Sequence, residues 1–371
     1  MAEQVISPDI NFVKDIIASG GDTLKKCFQC ATCSVVCNAT PDNRPFPRKE
    51  MIYAQWGLKD KLISSPDIWL CHNCNDCTKY CPRGARPGDV LSIMRQKFIQ
   101  ENAMPGIMGK VVTQPKMTLI ALAIPLVIFL LLLGLTGHLR IPEGHIVYSK
   151  FFPIPYIEAV FMSTVGLAGI AYLASLYRFW NSMSKGNNQP YTKGIVPAFI
   201  ETLIEFFMHS RFKKCGPNAD RRIVHMLIFY GFVGLLITTI WVTVYYYVPK
   251  INTPIALSDP LKWVANISAI ALLAGAGMMI FNRLKDKGFI SKSSSFDWTF
   301  AVMILLLGVS GFLTETIRLA GIATLAYPIY FIHLLLVFYT IVYFPYSKLA
   351  HMGYRALAIT YSKMTNRDIR I

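Results

Sequence analysis

The sequence predicts an all-α protein in two parts, a small helical iron–sulfur domain over residues 1–106 and a six-helix transmembrane bundle over residues 107–371. Three observations predict it. Eight of the nine cysteines stand in two runs near the N-terminus, and six long apolar stretches follow them. The composition, 53% hydrophobic and only 16% charged, is too apolar for a soluble protein of this length.

The cysteine runs are Cys27, Cys30, Cys33, Cys37 and Cys71, Cys74, Cys77, Cys81, each spaced C-x2-C-x2-C-x3-C. Three thiolates at this step wrap one [4Fe-4S] cluster, and the fourth, one helical turn further on, turns toward the neighbouring cluster. The expected ligand sets are therefore crossed: Cys27, Cys30, Cys33 and Cys81 for one cluster, Cys71, Cys74, Cys77 and Cys37 for the other. Structural zinc takes separated pairs of cysteines and has no use for a third thiolate at the same step. Disulfides fit an oxidising compartment, whereas MAEQVISPDI lacks the basic region and apolar core of a secretory signal, which places this end in the cytoplasm. Pro82 follows the second run and Asn38 the first; that position shapes a turn and supplies no ligand.

Residues 8–19 read as a short amphipathic helix with Ile10, Val13, Ile16 and Ile17 on one side, ended by Gly20-Gly21 and expected to cover the first cluster. Between the runs, Met51, Ile52, Trp56, Leu58 and Leu62 recur at helical spacing between prolines. A helix near Gly88–Asn102 places Val90, Leu91, Met94 and Phe98 on one face, and Pro105-Gly106 then open a linker.

The apolar stretches lie at about 117–135, 157–179, 223–248, 263–281, 299–317 and 325–346. Each can cross roughly 30 Å of hydrocarbon at about 1.5 Å per residue. Net charge is +16, but the basic residues gather between the spans, so they read as topology signals and not as a nucleic-acid surface. Lys185, Lys193, Arg211, Lys213, Lys214, Arg221 and Arg222 follow span two; Arg283, Lys285, Lys287 and Lys292 follow span four. The opposite connections hold Arg140 and Lys150, then Lys250, then Arg318. The positive-inside rule thus puts both termini and the cluster domain on the cytoplasmic side of the inner membrane. Residues 195–208 read as a helix lying in the cytoplasmic interface.

His333 lies inside the sixth span and His351 just past it; eighteen residues along one helix return to the same face, about 27 Å away. That suits two haems stacked across a bilayer, each taking one axial histidine from this helix. His225, at the cytoplasmic start of span three, has the depth of His351 and is its expected partner. His138, at the outer end of span one, is the candidate partner of His333, ahead of His145 in the loop beyond. His209, ending the interfacial helix, reads as a quinone-site residue, a member of a basic face, or a haem ligand. His72 is expected to tune or shield a cluster, and Cys215 is a lone reduced thiol. With no G-x-G-x-x-G after a strand, the chain has no evident flavin or nicotinamide site of its own.

The stretch HLLLVFYTIVYFPYSKLAH, His333 to His351, resembles the last helix of the cytochrome b subunit of respiratory nitrate reductase, in which both histidines bind haem b. His225 with the following GFVGL is similar to that family's second helix, but the family's other histidine there falls on Leu235. The stretches CFQCATCSVVCNATPDNRPFPRKEM and WLCHNCNDCTKYCPRGARPGDVL resemble the iron–sulfur component of heterodisulfide reductase known as HdrC, and the membrane half resembles its membrane component, HdrE. The fusion resembles the membrane subunit of the quinone-interacting membrane-bound oxidoreductases (Qmo). That resemblance implies a helical ferredoxin-type domain on a cytochrome b-like bundle, two [4Fe-4S] clusters, one or two haems b, and menaquinone as substrate. It also implies two cytoplasmic flavoprotein partner subunits and a link to adenylylsulfate reductase. The alternatives are a heterodisulfide reductase-type subunit oxidising another lipid-soluble carrier, and a non-redox membrane anchor whose clusters are structural.

Overall fold

The computed structural model describes residues 7–113, 115–185, 189–214, 219–251, 253–285 and 293–367. Cys215, Lys287 and Lys292 lie outside them. Every regular element among the described residues is helical.

The N-terminal part comprises α1 (Ile10–Ala18), α2 (Thr32–Val35), α3 (Arg48–Gln55), α4 (Lys59–Ile63), α5 (Asp67–Leu70), α6 (Asp76–Lys79) and α7 (Pro87–Asn102). Asp9 caps α1 by accepting the Phe12 N–H at 2.9 Å, and its apolar side drives Phe12 and Ile16 inward. α1 packs on α3 and α7. In α7, Val90, Leu91, Met94 and Phe98 are buried, as their spacing predicts, whereas Trp56 at the end of α3 faces outward at 59% exposure. The expected linker after Pro105 is instead a helix, α8 (Gly106–Thr113), packed on α7 and on α9 (Pro115–Leu135). Gly109 permits this, because a Cβ there would stand 3.0 Å from the Gln100 backbone.

The second part runs through α10 (Tyr148–Phe151), α11 (Ile154–Lys185), α12 (Ile195–Met208), α13 (Ala219–Tyr247), α14 (Pro260–Lys285), α15 (Ser295–Leu319), α16 (Ala323–Tyr343) and α17 (His351–Met364). Among the described residues five helices are long and apolar enough to cross a membrane: α11, Arg221–Tyr247 of α13, α14, α15 and Ala323–Tyr346. Ile120–Leu135 of α9 is a shorter apolar stretch. Successive helices α13 to α16 pack on their neighbours, and α9 and α11 close on α16. The α13–α14 crossing is tight because both partners present glycine: a Cβ on Gly231 would meet Leu272 N at 2.9 Å, and one on Gly275 would meet Ile228 N at 3.0 Å.

The two parts share a core. Trp69 of α5 stacks on Tyr354 of α17 at 5.1 Å, with Phe98 of α7 and Phe179 of α11 edge-on around them. All four rings are buried, and large aromatic faces in such arrangements dominate the energetics of a contact. Beside this cluster, Arg367 donates two bonds to the Asp67 carboxylate, at 2.5 and 2.7 Å, and Lys49 donates a third at 2.6 Å.

One expectation is corrected here. His333 and His351 do not share a helix. α16 stops at Tyr343, Phe344–Tyr346 form a tighter turn around Pro345, and Ser347 is extended. Proline cannot donate to the ladder of a continuing helix, and the Ser347 hydroxyl accepts the Leu349 N–H at 3.2 Å to start a new turn. His351 therefore opens α17, and the 27 Å of continuous helix rise does not apply.

Candidate redox centres

The two cysteine loops repeat one backbone device. Gln29 and Ala31 in the first, and Asn73 and Asn75 in the second, all have positive φ, 66°, 67°, 56° and 68° in that order. Each pair brackets the second cysteine of its run, then a four-residue helix, α2 or α6, begins. Left-handed backbone costs non-glycine residues on the order of 1 kcal/mol or more, most plainly at Ala31, so four such residues mark a conformation that the loop must hold. The curl turns amide hydrogens inward: Asn73 N–H lies 3.3 Å from Cys71 Sγ, and backbone N–H groups of Gln29 and Ala39 reach Cys27 and Cys37. Amides aimed at sulfur suit a thiolate-bound cluster.

The thiols interact across the runs. Cys81 raises Cys27, while Cys71 and Cys74 raise Cys37, so the fourth cysteine of each run stands near the first cysteines of the other. Burial, then neighbouring sulfurs, push Cys33 (beside Cys27 and Cys30 of its own run) up to about 11 and Cys37 up to about 12, and push Cys77 up further. To act as thiolates, these buried sulfurs need a positive charge beside them, which bound metal supplies. Among the described residues no three His, Cys, Asp or Glu side chains converge on a single-ion site. A cubane spreads its four ligands over separate iron corners and needs no such convergence. The loops thus fit the clusters. α2 packs on α6, and Arg83 stacks its guanidinium 3.9 Å over Phe28, joining one loop to the other. Gln55 holds the first loop by donating to the Leu24 and Cys27 carbonyls, each at 3.0 Å.

The second loop is held from both parts of the chain. Arg95 donates to the Cys71 carbonyl at 3.0 Å, and Arg221, at the start of α13, donates to the Asn73 carbonyl at 2.8 Å. A cavity of about 160 Å³ lies beside it. Cys71, His72 and Asn73 line it together with Asp297, Lys348, His351 and Arg355. His72 is thus on the cavity wall. Asp297 and Lys348 form an ion pair there.

The histidines assemble from separate elements. The rings of His225 (α13) and His351 (α17) are perpendicular, with centres 6.3 Å apart. Metal–imidazole bonds are about 2 Å long, so two rings sharing one metal from opposite sides place their centres roughly 6 Å apart. His351 Nδ1 donates to the Lys348 carbonyl at 2.5 Å, which leaves Nε2 as the ligand atom. Burial holds this ring down at about 4, hence neutral, the form that binds metal. Tyr172 of α11 fixes the turn, donating to the Ala350 carbonyl at 3.0 Å and accepting the Gly353 N–H at 2.8 Å. Only glycine allows this, since a Cβ on Gly353 would come within 2.2 Å of that hydroxyl. These two residues would be able to hold a haem iron. His209 Nε2 lies 2.9 Å from His225 Nδ1, an approach that helix-face arithmetic does not reveal.

His333 stands apart from that pair. Its Nδ1 is 2.9 Å from the Ser310 hydroxyl of α15, and Gly311 lies under its ring. His138 packs edge-on against Tyr156 at 5.9 Å, and its Nδ1 is buried with no hydrogen-bond partner among the described residues. No ring contact among the described residues brings His138 to His333. His145 is exposed.

Comparison with known proteins divides the chain the same way. Residues 23–85 match a 4Fe-4S dicluster domain. The C-type subunit of the H(2):CoB-CoM heterodisulfide,ferredoxin reductase of Methanothermobacter marburgensis is 40% identical over 99 residues, 26% of this chain and 52% of that protein. A protein of Archaeoglobus profundus, described as like the C-type subunit of heterodisulfide reductase, is 35% identical over 86 residues, 23% of this chain and 46% of that one. A C-type iron-sulfur subunit of the CoB-CoM heterodisulfide reductase of Methanocaldococcus jannaschii is 30% identical over 102 residues, 25% and 54%. The chain thus spans about half the length of the curated relatives it matches. No solved structure matches it. Residues 111–370, which include the histidine pair, match the family described as Citrate utilization protein B, and the chain belongs to that family.

Proposed function

We propose that this protein is the membrane electron-transfer subunit of an oxidoreductase, moving electrons between menaquinone and cytoplasmic flavoprotein or iron–sulfur partners. One observation carries the reading: His351, facing His225, lines the same cavity as Cys71 of the second cysteine loop. When bound, haem b and two [4Fe-4S] clusters would supply one-electron stations. His225 and His351 would hold the haem; Cys27, Cys30, Cys33 and Cys81 would hold one cluster, and Cys71, Cys74, Cys77 and Cys37 the other. His333, tied to Ser310, is left for a second haem or for the quinone pocket.

Around the first loop, Phe28, Val35, Trp56 and Tyr80 are exposed, at 65%, 84%, 59% and 56%, and Cys30 is at the surface. This apolar rim suits the docking of partner subunits beside a cluster. The spans, with α9 as the sixth, would cross the inner membrane with both termini cytoplasmic. The apolar side of α12, with Ile200, Ile204 and Phe207 exposed, would lie in the interface. In the Qmo form of the reading the partners are two flavoproteins and the route serves adenylylsulfate reductase. The names of the curated relatives favour a second form, a heterodisulfide reductase-type subunit serving another lipid-soluble carrier. The co-purifying subunits separate the two.

The test is a visible spectrum of the purified complex, reduced by a naphthoquinol. A b-type band should form, and His225→Ala and His351→Ala should each abolish the same component. Loss of different components, or of none, would refute the pair; a wild-type protein with no b-type band would reduce it to an anchor.

A further inference from the structure

His209 is buried and sits one residue past α12 in left-handed backbone, φ 50°. Histidine tolerates that region better than most side chains, yet it remains a costly place for any residue but glycine. Phe212, Phe229 and Tyr230 surround its ring, with centres 5.8, 5.2 and 5.9 Å away. The Tyr230 hydroxyl also donates to the Phe207 carbonyl at 2.6 Å, locking the turn.

The hydrogen bonds here have one consistent direction. A carbonyl only accepts, so His209 Nδ1, 3.0 Å from the Phe207 oxygen, carries the hydrogen. In a neutral ring Nε2 is then an acceptor, and His225 Nδ1, 2.9 Å from it, must donate. His225 is thereby fixed in the tautomer whose Nε2 holds the free lone pair. His351 is fixed in the same tautomer by the Lys348 carbonyl.

We propose that His209 is a positioning residue for His225: by accepting its Nδ1–H it selects the metal-binding tautomer, orients the ring and makes Nε2 a stronger donor. This rests on the haem reading above. Partners of this kind orient metal-bound histidines and raise their basicity. A more basic ligand favours the oxidised metal, so losing the acceptor raises the midpoint potential.

The experiment uses the full chain in its complex, with haem content, redox titration and ferric electron paramagnetic resonance as readouts. His209→Phe keeps the aromatic packing and removes the acceptor; His209→Gln returns an acceptor oxygen. His209→Phe should keep the haem and raise the reduced-to-oxidised ratio at the wild-type midpoint on the order of tenfold, ~59 mV for one electron, with shifted ferric g-values. His209→Gln should recover most of the shift. Wild-type potential and g-values in His209→Phe would overturn the proposal. If His209→Phe assembles no haem, its return in His209→Gln supports the acceptor role, and its continued absence overturns it. Haem kept in both His225→Ala and His351→Ala would instead sink the haem reading itself.

Discussion

The second cysteine loop and His351 line one cavity, yet the cysteine loops and the histidine pair are built in opposite ways. Each loop takes three of its cysteines from seven consecutive residues and shapes itself with left-handed residues inside the run. The histidine pair takes one ring from α13 and one from α17, with His209 from the end of α12 behind them. A local site survives changes elsewhere in the fold; a site assembled from distant helices depends on all the packing between them.

The largest effect tests how local the loops are. Cys37→Ala removes the residue that stands near Cys71 and Cys74, so the protein should fall from roughly eight irons to about four, with the lost signal belonging to the Cys71, Cys74 and Cys77 cluster. Loss confined to the other cluster would show that the sets are not crossed.

A smaller effect tests the joint between the regions. Arg367 and Asp67 are both buried, and removing Arg367 leaves the Asp67 charge with Lys49 as its partner, while two of its three hydrogen bonds are lost. Arg367→Ala should destabilise the protein by ~3–5 kcal/mol, read as denaturant unfolding, with earlier proteolysis of the N-terminal part. An unchanged midpoint would mean that the aromatic stack of Trp69 and Tyr354 holds the joint alone.

The smallest effect is a pH dependence in the same cluster of charges. Burial, then the Asp67 charge, push the buried Glu50 carboxyl from 4.5 up to about 8, with Lys49 3.4 Å away. Burial alone would also raise Asp67, but the Arg367 and Lys49 charges hold it down. A raised carboxyl means that the folded chain keeps a proton the unfolded chain has lost, so this group's contribution to stability falls as pH rises from about 4.5 to about 8. Glu50→Gln should flatten that decline by ~1 kcal/mol or more between pH 5 and pH 8, measured by thermal unfolding. An unchanged slope would place the titration elsewhere.

What was legible follows the same division. Helix α7 was readable because Val90, Leu91, Met94 and Phe98 carry the helical period themselves, and the caps of α1 lie beside it in sequence. The break at Pro345–Ser347 was in plain view too, but an apolar run bridges it and period counting passed straight through. Helix α8 was missed because Pro105-Gly106 reads as a stop, while the contact of Gly109 with Gln100 is tertiary. The pairing of His225 with His351 followed from depth alone, without the tautomers that make it chemically sensible.

By itself the sequence determined what short-range signals can carry: two cysteine runs at cluster spacing, helices enough to cross a membrane, and which side chains could serve as ligands. Those depend on residues a few positions apart, or on composition. Only the tertiary structure decided that His209 stands behind His225, that His351 opens a new helix, and that Cys71 shares a cavity with it. The physical reason is that these contacts join residues brought together by helix packing, and their directions are set by hydrogen bonds to backbone carbonyls such as those of Phe207 and Lys348, which exist only once the turns have formed.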